Sequence, residues 1–307
     1  MNLFKKFIGA IAVSLLSHGA TASPVTVNII WGFSPSVSAF NHARHVVNQA
    51  NENQKKYQFV LDARPGAAGS IAARQVLTDV QNNRISVLMT SNAFFVRPYL
   101  YKNPGYQFDD FSLLTWTTEV PMALVMKKGR NFEEILRQPT INLSMVGTGS
   151  MTHVMAEQFR KTYPQQVNLI GYHGTREGVR DVIGGNLDLA FDLLGSVVGD
   201  DKVEIIGITG NNNLGYKKLS DLGPQYSDYK VMSLGIYFLI PQHMSAQTVT
   251  ELHAIVARAQ QDSGHYKTAV QKDFGTALNF PLKDNKKIYQ NHIEQLKRLT
   301  RGMEKFD

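Results

Sequence analysis

Apolar residues along this chain fall into short blocks, and the spacing inside the blocks alternates between two periods. Residues 25–30 alternate and are β-branched, which predicts a strand. A polar loop containing Pro35 follows over 32–38, and then a helical stretch to about residue 53. Residues 59–62 predict a second short strand, Arg64-Pro65-Gly66 a turn, and 69–80 a helix with apolar residues at helical spacing. A third strand at 85–89 runs into the polar turn Thr90-Ser91-Asn92.

The middle of the chain repeats the scheme. A strand at 141–146 leads through Gly147-Thr148-Gly149-Ser150 to a helix from about 152 to 162. A strand at 167–171 leads through Tyr172-His173-Gly174-Thr175 to a helix ending at Ile183, broken by Gly184-Gly185-Asn186. Further strands are expected at 187–191 and 205–209. Strands alternating with helices imply two α/β units, each a mostly parallel sheet flanked by helices. Two apolar segments, 113–126 and 232–240, read as connections between the units, and 245–306 reads as helical and amphipathic. The expected organisation is therefore one discontinuous lobe, 23–120 with 230–307, and a second lobe, 121–229.

The first residues stand apart. Lys5 and Lys6 precede an apolar run over 7–16, and Ala20-Thr21-Ala22 places small residues before Ser23. That is the pattern of a secretory signal peptide over 1–22 cleaved after Ala22, which predicts export and, in a Gram-negative cell, a periplasmic protein. The 307 residues suggest about two domains at roughly 150 residues each. Cysteine is absent, which excludes disulfides, thiol nucleophiles and cysteine zinc sites. Lys and Arg outnumber Asp and Glu, 32 to 25, yet the lysine pairs are scattered and form no stripe with interleaved aromatics. Nucleic acid is not an expected partner.

Chemistry-bearing residues are few. Arg64-Pro65-Gly66-Ala67-Ala68-Gly69-Ser70 is glycine-rich but lacks the third glycine of a dinucleotide fingerprint and the Lys of a P-loop, so it reads as a tight turn. Gly147-Thr148-Gly149-Ser150-Met151-Thr152-His153 could admit an anion to helix N–H groups, or could merely cap the helix through Ser150 and Thr152. No Gly-x-Ser-x-Gly surrounds Ser150, and His153 has no evident acid partner. His42 and His45 share a helix face without a third metal ligand, and Asp188 and Asp192 flank one strand. A secreted hydrolase using His153 or Asp192 is one reading left open; a lobe pair serving as a sensor or interaction module is another. No metal or cofactor is expected.

Taken together, the stretches at 64–69, 147–153, 171–175 and 184–192 resemble the periplasmic solute-binding receptors of tripartite tricarboxylate transporters, the Bug receptors. The Thr90-Ser91-Asn92 turn and the 106–113 stretch occur in the expected order, and the similarity covers nearly the whole mature chain. The resemblance implies a two-lobe periplasmic binding protein fold of the type II kind. It implies a monomer without covalent chemistry, which holds a small organic carboxylate between the lobes and delivers it to a two-component integral membrane permease. By motif match the first carboxylate loop spans 34–40 and the opposing one 172–175. Thr90, Ser91, Asn92, Thr148, Ser150 and Thr152 line the cleft, and Asp192 belongs to the set. Ser34, Ser38, Thr90, Ser91, Ser150 and Thr175 would donate hydrogen bonds, and the N–H groups of Gly174 and Thr175 would hold one carboxylate. Phe33, Phe40 and Tyr172 would wall the cavity.

Two departures bear on the ligand. Ser36 and Val37 stand where the family usually has Pro-Gly-Gly glycines, and Phe40 stands where it has a carboxylate. His173 occupies a position where a basic residue is common. Without the acid there is no acceptor for an amino group, so the expected ligand is an aliphatic or aromatic carboxylate rather than an amino acid.

Overall fold

The computed structural model describes residues 23–164, 166–210 and 213–307; the expected signal peptide lies outside the described residues. In chain order the first elements are β1 (Val25–Trp31), α1 (Ser38–Asn53), β2 (Tyr57–Ala63), α2 (Ser70–Gln81), β3 (Ile85–Ser91), α3 (Ala93–Leu100) and β4 (Phe111–Val120). There follow β5 (Met122–Lys127), α4 (Phe132–Leu136), β6 (Ile141–Val146), α5 (Met151–Thr162), β7 (Val167–Tyr172), α6 (Thr175–Gly184), β8 (Leu189–Leu193), α7 (Leu194–Val197) and β9 (Val203–Ile208). The last are β10 (Leu234–Pro241), α8 (Ala246–Asp262), α9 (Gly264–Lys272), β11 (Thr276–Ala277) and α10 (Asn285–Leu299).

Among the described residues, eleven strands form two sheets. One has the order β11-β4-β10-β3-β1-β2, the other β7-β6-β8-β5-β9. Strand side chains alternate in direction, so each sheet builds two cores. On β1, Val27, Ile29 and Trp31 join Ala39, Ala43, Val46 and Val47 of α1 in one apolar cluster, while Ile30 between them joins Ala72, Ala73 and Val76 of α2 in another. The second cluster continues into the other sheet through Leu124, Leu143, Leu189 and Phe191, which pack on Val154, Met155 and Phe159 of α5. Ala123, Val125 and Ala190 face the opposite way, onto Val179 and Val182 of α6.

The sheets are mixed rather than mostly parallel. β1 pairs with β2 and β3 in parallel, and β6 with β7 and β8 in parallel. β10, however, is antiparallel to both β3 and β4, and β5 is antiparallel to both β8 and β9. The cause is topological. The chain leaves the first sheet along β4 and re-enters it along β10, and an outgoing and a returning strand laid side by side run in opposite directions.

Two stretches differ from the pattern reading. Residues 245–306 are not one helical run: Ser263 ends α8 and caps α9, its hydroxyl accepting the Tyr266 N–H at 3.2 Å, and β11 adds a short edge strand against β4. Helix α3 follows the expected Thr90-Ser91-Asn92 turn in a stretch where the pattern suggested no element, and it carries Pro98 inside, a residue that disfavours helix interiors. Proline has no N–H for the Phe94 carbonyl, and the Tyr106 hydroxyl donates to that oxygen instead, at 2.8 Å.

Candidate functional site

The parallel strands end in loops that each open a helix, and most of the residues singled out from sequence stand on these loops. In the first lobe the loops after β1 and β2 touch. A Cβ placed on Gly32 would lie 2.7 Å from the Gly69 Cα, and one on Gly69 would lie 3.5 Å from the Phe33 ring and 3.7 Å from Thr90 Oγ1. Gly69 holds φ at +88°, a conformation glycine adopts without strain. Phe33, Gly69 and Thr90 thus form one contact cluster, with Phe33 packed 4.9 Å from Trp31. Ser34 turns into its own loop: its carbonyl accepts from Trp31 Nε1 at 3.0 Å and its hydroxyl pairs with that of Ser36 at 2.8 Å. Phe40 is partly buried against the α1 cluster, so its ring also serves the core.

Three first-lobe residues are placed differently from a common cleft wall. Ser38 lines a pocket of about 240 Å³ between α1 and α9, with His42 and His265. Ser91 is buried, its hydroxyl accepting the Ala93 N–H. Asn92 has both amide atoms committed to the returning strand: Oδ1 accepts the Gly235 N–H at 2.6 Å and Nδ2 donates to the Tyr237 hydroxyl at 3.3 Å. The Tyr237 hydroxyl can then pass its proton toward His292 Nε2, 2.6 Å away. Asn92 therefore ties the end of β3 to β10. Asn92→Ala should leave the buried Gly235 N–H without a partner and lower the unfolding free energy by about 1–2 kcal/mol, read from a urea transition.

The second-lobe loops are built on hydroxyls. Ser150 caps α5, accepting the His153 N–H at 3.1 Å, and its hydroxyl meets that of Thr152 at 3.0 Å. Thr152 also accepts the Val146 N–H at 2.9 Å, which closes the loop on its own strand. Gly147 and Gly149 both take positive φ, and Thr148 between them is partly exposed. His153 has Nδ1 accepting from Gly149 and Nε2 3.5 Å from Glu157, so neither nitrogen addresses a nucleophile.

The opposing loop differs. Gly174 precedes α6 with no side-chain cap, as Val37 precedes α1, so the first-turn N–H groups of both helices lack the capping oxygen that Ser150 gives α5. The Thr175 hydroxyl donates to Asp192 Oδ1 at 2.5 Å, which commits its proton inside the protein. Asp192 is fully buried; burial pushes its carboxyl above the ordinary range, against the pull of Thr175, the Leu193 N–H and Arg176. The Tyr172 hydroxyl donates to Asp181 at 2.5 Å, and burial together with that carboxylate raises it to about 12. His173 is exposed and its N–H is bonded to Glu177.

Tyr101 was not suggested by any motif. Its ring lies 3.6 Å from where a Gly149 Cβ would be, which brings the first lobe against the loop after β6. Arg97 stacks 4.0 Å over the Tyr101 ring, and the main chain of Lys102 pairs with that of Phe306. Among the described residues no group of three or more His, Cys, Asp or Glu is placed to hold a metal ion.

The model of the tripartite tricarboxylate transporter family receptor matches residues 43–304. The chain belongs to this receptor family. Receptors of the family are periplasmic solute-binding proteins. A curated relative, a UPF0065 protein from the TAR-I ttuE-ttuC' intergenic region of Agrobacterium vitis, is 27% identical over 184 residues, 56% of this chain and 51% of the relative. The chain spans about half the length of the curated relatives it matches. Solved structures share the receptor fold. The periplasmic binding protein BugD matches with a TM-score of 0.74 at 19% identity, over 92% of this chain and 99% of that one. An R. palustris protein solved with adipate matches with a TM-score of 0.75 at 18% identity, over 92% and 97%. MatC from Rhodopseudomonas palustris, with bound malate, matches with a TM-score of 0.73 at 16% identity, over 90% and 99%. The two-lobe α/β architecture of this chain is that of these receptors.

Proposed function

We propose that this receptor is exported to the periplasm, captures a small organic carboxylate between its lobes and hands it to a two-component membrane permease, without catalysing a reaction. The lobes in this reading are 23–120 with 230–307, and 121–229; the signal peptide 1–22 is removed after Ala22, and the working form is a monomer. The observation that carries the reading is the start of α6 at Gly174, where no side chain caps the first-turn N–H groups and the Glu177 carboxylate is turned back onto the His173 N–H, beside Thr175 whose hydroxyl is fixed by buried Asp192. A helix N-terminus with free N–H groups and a partial positive charge suits an anion. The adipate and malate bound by two structural neighbours support a dicarboxylate as the ligand class.

Ligand binding would favour the closed arrangement of the lobes and so stabilise the fold. At about 100 times its dissociation constant a ligand adds roughly 2.7 kcal/mol, which raises the thermal midpoint by a few degrees. Thermal unfolding of ligand-free protein with adipate, malate, succinate, glutarate, aspartate and glutamate should show that rise for a dicarboxylate. Because Phe40 offers no acceptor for an ammonium group, aspartate and glutamate should shift the midpoint less than their unaminated counterparts. A flat response across all carboxylates would overturn the reading.

A further inference from the structure

His153 lies in the first turn of α5 and is 4% exposed. Its backbone N–H goes to the Ser150 hydroxyl, while its ring reaches back along the helix axis so that Nδ1 accepts the Gly149 N–H at 3.2 Å. On the other side of the ring, Nε2 lies 3.5 Å from Glu157 Oε1, one turn on. Glu157 is itself buried and bound by Arg160 through Nε at 3.1 Å and Nη2 at 2.8 Å. Burial works against the Glu157 charge, but the His153 and Arg160 contacts outweigh it and hold the carboxyl below its ordinary value.

An ionised carboxylate only accepts hydrogen bonds, so it draws the ring proton to Nε2 and leaves Nδ1 with a lone pair. That lone pair is what the Gly149 N–H requires. Without it, Gly149, held at φ +86° beside Gly147 at +48°, would have a buried donor unmet and a loop of two glycines free to turn. The Tyr101 ring packs on the same glycine from the other lobe.

We propose that His153 is a positioning residue for ligand capture: its Nδ1 lone pair, oriented by Glu157 and Arg160, takes the Gly149 N–H out of ligand contact and fixes the loop so that Thr148 is presented to a bound carboxylate. The inference rests on the receptor reading above. It replaces a general-base role for the same side chain, and it makes the histidine specific to this loop rather than to any chemistry.

The test separates the two ideas. In the full-length protein, ring ¹⁵N spectra at neutral pH should show His153 protonated on Nε2 and bare on Nδ1. The Gly149 amide should exchange about tenfold more slowly in the wild type and in His153→Asn, whose side-chain oxygen can stand in for Nδ1, than in His153→Leu. Adipate affinity should stay within about threefold of wild type in His153→Asn and fall about tenfold in His153→Leu. Glu157→Gln, which preserves the helix, should speed Gly149 exchange by itself, and it serves if His153→Leu does not fold. A proton on Nδ1, or Gly149 exchange that is the same in all variants, or Asn behaving as Leu does, would overturn the proposal. If no carboxylate binds even the wild type, the receptor reading is what fails, and the ring and amide measurements still decide the role of His153.

Discussion

Gly32→Ala should weaken adipate binding at least about tenfold and lower the unfolding free energy by about 2–3 kcal/mol. The added methyl would sit 2.7 Å from the Gly69 Cα and 3.5 Å from both the Gly69 carbonyl oxygen and the Ala72 Cβ. These are backbone and helix atoms, not the mobile end of a long side chain, so one loop must move. Gly69 cannot retreat freely, because it is held at φ +88° at the start of α2 with the Phe33 ring and Thr90 on its other side. The loops after β1 and β2 are thereby forced apart, next to the loop proposed to hold a ligand carboxylate. Gly264→Ala is the control: a Cβ there meets nothing within 4 Å, and it should change stability by no more than about 0.5 kcal/mol. Urea denaturation and adipate titration of the two variants side by side check the argument. Indistinguishable results would mean the Gly32–Gly69 contact has no energetic consequence.

Acid should destabilise the protein steeply through His292, by about 3 kcal/mol between pH 7 and pH 4. The ring is 8% exposed, wedged edge-on against Trp116 and Phe95, with Nε2 taking the Tyr237 hydroxyl. Burial pushes its pKa down to about 4 from 6.5. Above pH 6.5 neither the folded nor the unfolded ring is charged, and the contribution is fully present. As the pH falls from 6.5 to 4 the unfolded chain binds a proton that the folded protein refuses, so stability drops. Below about 4 both states are protonated and the loss levels off. His292→Gln keeps a hydrogen-bonding partner for Tyr237 but cannot titrate, so its stability should fall less over the same interval. Urea midpoints at pH 7 and pH 4 for both proteins measure the difference. Parallel losses would show that burial does not keep His292 neutral.

The strands were legible where both faces of the sheet are covered. In β1 and β3 the apolar residues point to both faces, Val27, Ile29, Val87 and Met89 toward α1 and Ile30 and Leu88 toward α2, and β-branched residues are common among them. Helix α3 is eight residues long with Pro98 inside and suggested no element by pattern; the Tyr106 hydroxyl supplies the donor that proline lacks. The two-residue β11 is too short to leave a periodic trace. At the site, the loops were legible because glycines and small hydroxyl residues sit between strand and helix, and the capping by Ser150 follows from that order. What could not be read is which way a polar side chain turns. Asn92 follows a strand, as a ligand-contacting residue would, yet its amide is spent on Gly235 and Tyr237, far off in sequence. Tyr101 reaches Gly149 through tertiary packing alone, and no local pattern marks it.

The place of β10 between β3 and β4 has a consequence for how the chain is made. β1, β2, β3 and β4 emerge early in synthesis, but the strand that joins β3 to β4 emerges only after the entire second sheet. Until then β3 and β4 each present an open hydrogen-bonding edge lined with apolar residues, the kind of surface that pairs with other chains. The second sheet, drawn from one uninterrupted segment, can complete its pairing first. Connectivity thus sets an expected order of folding: the lobe that is interrupted in sequence is completed last, by insertion of a central strand between two edges that are already present.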